Sequence, residues 1–432
     1  KKNIVSSFLL KFINVVVDFL LVPLTLSYLT QTNYGVWLLI SSMVNWFNLF
    51  DLGISHGYRN KLAIALSKNN FVLARELTTT AYFIIGIISS LLCVLSLHVI
   101  PSLNWNMLLN VDTVSNKELI RIIQIVTVFF SLNLLLKSLG SIFQAKQLPA
   151  LKSLYETLAK ALVLVGVFIL VKNYDGNLSF YVIVSSAIPV ILLFILSFYF
   201  FWGEYSYLKP SFKYLKKERI KDITGLGIKF FIIQLGAAML FLSDNMIISH
   251  LYSPSEVTTY MISKKYFSIG LIGFGIVAAP YWSAFTEAYE KGEFGWIKNS
   301  IKILNKFWIF AFASMIVMLF VFYPFLKFWV GNDFEVPILL ALQWAIFVVL
   351  QSKNNIYTLF LNGTGKITMQ LITGLITLLL NIPLSIYFAK YLSLGTSGVL
   401  LATNCSLLLF IVTRKIQYHK IITHQAYGIW NK

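Results

Sequence analysis

A lysine sits deep within an apolar stretch of this chain, at Lys353 in the string Gln351-x-Lys353-Asn354-Asn355. The run around it extends from Pro337 to Leu361, which puts Lys353 about 15 Å from the nearer end of a helix rising 1.5 Å per residue. A cation at that depth is costly unless it faces a bundle interior or a wet cavity, so Lys353 and Asn354 are read as cavity lining. Lys264 and Lys265 lie about two turns inside another apolar run, and neighbouring positions diverge by about 100° around a helix. At most one of the two can therefore reach lipid, leaving the other to face a lumen.

Two carboxylates complete the set. Asp18 and Asp244 fall at comparable depths of the first and seventh apolar runs. Each could serve as a protonatable coupling group, as a partner to a lysine, or as a neutral packing residue. Asn14 lies one turn before Asp18 on the same face. Asp51 and Arg59 stand at the mouth of the second run, where they could form a gate pair. Asn45, Asn48, Asn133 and Gln234 add polar points, for which interhelical hydrogen bonding is the commoner use. Lys137, Lys160 and Lys229 lie near helix ends and are read as snorkelling.

The elements that must carry these residues follow from composition. Hydrophobic residues make up 58% of the 432, charged residues only 12%, and mean hydropathy is +0.76. Such a chain is an integral membrane protein, and runs of about 20 apolar residues suit helices crossing a hydrocarbon core. The ten-residue alternation of a membrane barrel is missing. The runs are Ser7 to Tyr28, Gly35 to His56, Thr79 to Ile100, Arg121 to Phe143, Tyr155 to Val171 and Phe180 to Trp202. The second set comprises Gly227 to Leu251, Thr259 to Trp282, Ile303 to Val330, Pro337 to Leu361, Ile367 to Ala389 and Ser397 to Thr413. Lys1-Lys2 resembles a signal n-region, but no small-residue cleavage site follows, so the first run is expected to stay as a helix.

A net charge of +18 could point to nucleic acid, but its placement does not. Sixteen lysines and arginines fall in loops after even-numbered spans, whereas the odd loops hold only three, Lys117, Lys172 and Lys390. That bias puts both termini and the even loops in the cytoplasm, with no nucleic-acid partner. Cys93 and Cys405 both lie in apolar runs, and neither a disulfide nor a metal site is expected.

The chain also repeats itself. Leu52-Gly53-Ile54 returns as Phe274-Gly275-Ile276, and Lys68-x-x-Phe71-x-x-x-Arg75 returns as Lys291-x-x-Phe294-x-x-x-Lys298, at offsets of 222 and 223 residues. The fold class is therefore an all-α polytopic membrane protein of about twelve spans, in two six-helix bundles related as a parallel repeat. The expected division is a bundle over 1–204, a basic linker over 205–226 resting on headgroups, a bundle over 227–414 and a tail over 415–432. The stretches Arg59 to Glu76 and Glu287 to Lys302 look like short amphipathic helices at the interface.

The run Val22-Pro23-Leu24-Thr25-Leu26-x-Tyr28-Leu29, then Tyr34-Gly35-Val36-Trp37, Phe50-Asp51-Leu52-Gly53-Ile54 and Arg59-Asn60-Lys61, resembles the Wzx-type polysaccharide flippases of the MOP superfamily. Ser243-Asp244-Asn245-x-Ile247-Ile248, with Tyr260 and Lys264 following, resembles the start of their second half. The resemblance implies a MATE-like fold in a bacterial inner membrane and a cargo of undecaprenyl-pyrophosphate-linked oligosaccharide. It implies alternating access, with H+ or Na+ coupling, membrane lipids as surroundings, and a polymerase and other glycan-assembly proteins as neighbours. No ATP hydrolysis and no cofactor are implied. On that reading the lysines attract pyrophosphate, the amides meet sugar hydroxyls, and Asp18, Asp244, Asp51 and Arg59 serve coupling or gating.

Competing readings are a cation or multidrug antiporter of the same superfamily, a membrane polymerase or glycosyltransferase, and a scaffold. An antiporter for cations would want an acidic cavity, against Lys264, Lys265 and Lys353. A polymerase would want a large outer loop with catalytic residues, and no nucleotide loop, HExxH or paired-acid signature is present.

Overall fold

The computed structural model describes residues 2–46, 51, 53–146, 148–224, 243–278, 280–331 and 334–431, all of it helix, turn or loop. The chain divides into two compact units, Lys1–Leu235 with Ser253–Ser255, and Gly236–Tyr252 with Glu256–Lys432.

The first unit contains α1 (Lys2–Tyr28), α2 (Gln31–Trp46), α3 (Ile54–Ser67), α4 (Phe71–His98), α5 (Trp105–Leu109), α6 (Asn116–Leu136), α7 (Ser138–Ala145), α8 (Pro149–Asn173) and α9 (Leu178–Trp202). Runs of Leu, Ile, Val and Phe make these segments helical in an apolar medium, where every backbone group must be satisfied within its own segment. Short polar residues start several of them: the side chains of Asn70, Ser115 and Asn177 accept from the amides of Leu73, Glu118 and Phe180. The second unit contains α10 (243–251), α11 (Pro254–Ala278), α12 (Tyr281–Glu290), α13 (Phe294–Val330), α14 (Ile338–Thr364), α15 (Thr368–Ile386) and α16 (Thr396–Ile422).

Among the described residues, eight helices are long and apolar enough to cross a membrane. The other four expected spans are accounted for individually. In α1 the apolar part is only Phe12–Tyr28, and α2 ends at Trp46 next to undescribed residues. The seventh span lies mostly outside the described residues. α14 has 27 residues, ample length, but its polar string from Gln351 to Asn355 dilutes its apolarity.

The repeat is visible as the same packing made twice. In the first unit α3 packs on α4 and α7, α4 on α6, and α8 on α9; in the second, α12 packs on α13 and α14, α13 on α14, and α15 on α16. The link between α3 and α4 is copied bond for bond in the link between α12 and α13. Asn70 N–H donates to Ala65 C=O at 2.9 Å and Glu293 N–H to Ala288 C=O at 2.8 Å, while Asn69 N–H donates to Leu66 C=O and Gly292 N–H to Tyr289 C=O. The turn residues Asn69 (φ 54°) and Gly292 (φ 72°) are both left-handed. These are Schellman closures, and every pair sits at the offset of 223 seen in the Lys68/Lys291 motif. The glycine motif fares differently. Gly53 caps α3 at φ 71°, whereas Gly275 lies inside α11 without a positive φ, so that match is not a structural equivalence.

Three expectations need correcting. Arg59 to Glu76 and Glu287 to Lys302 are not single interfacial helices; each straddles a Schellman turn, and Tyr58, Leu62 and Ala65 are fully buried. The linker after Trp202 is not a loose loop, because Tyr205, Leu208 and Ile223 are fully buried against the first unit. Arg75 Nε donates to Lys209 C=O at 3.0 Å and Arg219 pairs with Glu76 at 2.9 Å. Ile223 comes so close to α3 that a Cβ on Gly57 would stand 2.0 Å from its carbonyl oxygen. Finally, the last helix runs past the expected span end at Thr413, since α16 continues to Ile422.

Candidate functional site

The residues singled out in the sequence fall into three polar clusters and one helix cap. In the first unit α1 and α8 lie side by side and share two polar contacts. Asn14 Nδ2 donates to Thr157 Oγ1 at 3.3 Å, and Thr157 in turn donates to the Ser153 carbonyl at 2.8 Å. One turn along, Lys160 Nζ donates to Asp18 Oδ2 at 2.5 Å, with both side chains partly exposed. Asp18 therefore partners a lysine, and Lys160 is held by a carboxylate rather than merely snorkelling. On the same unit, α2, α6 and α9 enclose a cavity of about 180 Å³ lined by Trp37, Ser41, Asn133, Ser185 and Ser186 with Phe129. Asn133 thus lines open space instead of bridging helices.

Asp51 has a structural task. Its carboxylate accepts from Ser55 Oγ at 2.8 Å and from Ser55 N–H at 3.3 Å, ahead of the first residue of α3. An acid there complements the helix N-terminus. Among the described residues no ion pair joins it to Arg59, and its charge acts on Lys137.

The second unit holds two clusters. Asp244 is buried, and its Oδ2 accepts from Tyr260 Oη at 2.6 Å while its Oδ1 has no hydrogen-bond partner among the described residues. The Lys264 charge acts on it, and the Lys264 ammonium lies 5.8 Å from the Trp344 ring, which also packs on Tyr260. Lys264 is thus the member of the lysine pair set beside Asp244 and Trp344; Lys265, about 100° round the helix, is half-buried as Lys264 is. Asp18 and Asp244 occupy corresponding helices, but their cations come from α8 and α11 respectively, so the two sites are not copies.

The last cluster brings α13, α14 and α16 together. Lys353 Nζ donates to Asn305 Oδ1 at 2.5 Å and sits 4.0 Å over the Trp308 ring. Trp308 is fixed in turn by its indole N–H on the Val349 carbonyl at 2.9 Å. Asn354, one position on, turns the other way and accepts from Arg414, which also donates to Thr358 Oγ1 at 2.8 Å. Lys415 is near enough for its charge to act on Lys353. Lys353 and Lys415 thus bring two positive charges together, while Arg414 is held separately on Asn354 and Thr358; among the described residues none of the three makes an ion pair, and the lysine pair suits an anion. Arg414 is the residue that sequence reasoning missed. Ending the last span at Thr413 left it just past the helix, although Asn354 and Thr358, four residues apart on one helix face, offered its partners.

Comparison with known proteins adds the lineage. The chain matches the polysaccharide biosynthesis protein family over residues 1–284. It is 26% identical over 375 residues to a Yersinia pseudotuberculosis protein named "Putative O-antigen export protein", covering 83% of this chain and 82% of that one. Among solved structures it resembles an inward-facing multidrug resistance MATE family transporter of the MOP superfamily, with TM-score 0.76 and 12% identity over 98% of this chain and 96% of that one. A MOP superfamily transporter from Pyrococcus furiosus, described as having a binding pocket of reversed polarity, gives TM-score 0.63 and 12% identity over 99% and 94%. The fold is that of the MOP transporters, and the chain belongs to the polysaccharide biosynthesis protein family as a multi-pass membrane protein.

Proposed function

We propose that this protein is a flippase for oligosaccharide linked to a polyisoprenoid pyrophosphate, undecaprenyl pyrophosphate in a bacterial inner membrane, carrying it from the cytoplasmic to the periplasmic leaflet by alternating access. The observation that carries the reading is the Lys353 and Lys415 pair, two cations beside an amide and an indole with no ion-paired carboxylate among the described residues. Such a group favours a pyrophosphate and disfavours the cationic drugs of an antiporter. The Trp37 and Asn133 cavity supplies an aromatic face with hydroxyl and amide groups, suited to a sugar ring. Asp18 and Asp244 are the groups through which H+ or Na+ would be coupled, Asp244 having an oxygen without a hydrogen-bond partner among the described residues. The basic bias of the even loops supports cytoplasmic termini, and a polymerase on the far side would consume the product.

Deleting the protein, extracting lipid-linked intermediates and assigning them to a leaflet tests this. Complete single repeat units held on the inner leaflet, with loss of surface polysaccharide, are expected. Units accumulating on the outer leaflet instead would move the protein downstream, to a polymerase or ligase, and sink the flippase reading.

A further inference from the structure

The first unit carries a second, larger recess, of about 950 Å³, along the face where α4 meets α6. Its walls are apolar: Ile87, Leu91 and Val94 are each more than half exposed, and Leu132 and Leu135 face them from α6. One end is roofed by the linker turn Pro210–Phe212. That roof is fastened, because Ser211 N–H donates to Thr79 Oγ1 at 3.3 Å and the Phe212 ring meets Phe83 edge-on at 6.3 Å. Around the roof stands a basic collar. Arg75 stacks on Tyr214 at 4.3 Å, the Lys209 ammonium lies 3.5 Å from the Trp202 ring, and Lys213 is exposed.

An apolar recess that ends in a cationic collar complements an amphiphile with a hydrocarbon chain and an anionic head. The floor distinguishes between chains. Gly86 and Ser90, and likewise Ser89 and Cys93, lie one turn apart, so notches of small side chains recur about every 5–6 Å along the groove. That spacing is comparable to the distance between methyl branches of a polyisoprenoid, whereas a straight acyl chain has no branches to seat. We propose that the α4–α6 recess holds the tail of a polyisoprenoid pyrophosphate, with its head at the Arg75, Lys209 and Lys213 collar. The proposal rests on the lipid-linked cargo inferred above and adds to it a docking site separate from the polar clusters.

The test is photolabelling of the purified full-length protein with a benzophenone-bearing geranylgeranyl diphosphate, followed by peptide mapping. Label is expected within 79–94 and 131–135, displaced by plain geranylgeranyl diphosphate at roughly tenfold lower concentration than by dioleoyl phosphatidic acid. A Cβ on Gly86 meets only Leu135 Cδ1, at 4.0 Å, so Gly86→Leu fills the recess without disturbing the backbone and is expected to remove most of the label. Should that variant fold poorly, the surface pair Lys209→Glu and Lys213→Glu is expected to lower labelling on its own. Equal competition by phosphatidic acid would mark an ordinary lipid contact and overturn the proposal, as would labelling elsewhere or labelling indifferent to both sets of variants. Binding is read without transport, so the two ideas fail separately. Mapped label with no accumulated intermediates in the deletion strain would overturn the flippase reading alone, and accumulation without mapped label would overturn the recess alone.

Discussion

Arg414 is held by two acceptors on one face of α14, Asn354 and Thr358, and that fork is what a lysine cannot reproduce. Both Arg414→Ala and Arg414→Lys are therefore expected to lower surface polysaccharide at least as far as Lys353→Ala, with membrane levels of the protein unchanged. Export at the wild-type level in all three variants would remove the cationic cluster from the mechanism. The Asp18–Lys160 pair separates two roles. Losing one partner of a buried pair costs about 3–5 kcal/mol, and less is expected here because the side chains of Lys160 and Asp18 are 41% and 33% exposed. Lys160→Met should thus lower thermal stability, and adding Asp18→Asn should restore it. If Asp18 also carries the coupling ion, export stays lost in the double variant although the protein is stable again; recovered export would leave the pair purely structural. Sequence alone identified Asp18, Asp244, Lys264 and Lys353 from a single principle, the cost of charge in hydrocarbon. It could not assign partners, since Lys160 and Asp18 are 142 residues apart and only packing brings them together.

At the scale of elements, the fastening of the linker turns on Gly57. A methyl group there would collide with the Ile223 carbonyl, and close backbone approach is what glycine permits. Gly57→Ala is expected to lower the melting temperature and to open the linker to protease. Gly275→Ala has open space around it and should be neutral or gain up to about 1 kcal/mol, as helix-interior glycines do. An equal loss in both would mean that the linker contact contributes nothing. The helices themselves were legible because twenty-residue apolar runs are an unambiguous signal. The linker was not, because Tyr205, Leu208 and Ile223 are three isolated apolar residues among many lysines and look solvated until packed. The Lys68/Lys291 match reflected a real repeated turn because that turn fixes local hydrogen bonds. Gly53 and Gly275 shared only a residue type.

For the whole molecule, orientation is the open physical claim, and it is testable by labelling single cysteines placed at Lys213, Lys302, Lys172 and Lys390, after replacing Cys93 and Cys405. Membrane-impermeant reagent added outside should reach positions 172 and 390 and not 213 or 302; the opposite pattern would invert the topology and with it the direction of transport. Fold class followed from hydropathy, and eight of the expected spans are helices long and apolar enough to cross a membrane among the described residues. One feature of α14 reaches back before the folded state. Its string Gln351 to Asn355 includes Lys353, and a central lysine costs roughly 2.5–3.5 kcal/mol on insertion scales. α13, by contrast, is 37 residues long and strongly apolar, and it offers Asn305 and Trp308 to that same lysine. During biosynthesis the earlier helix would therefore act as an internal chaperone for the later one, so that damage at Asn305 or Trp308 would surface first as failed insertion of α14 and rapid degradation of the nascent chain.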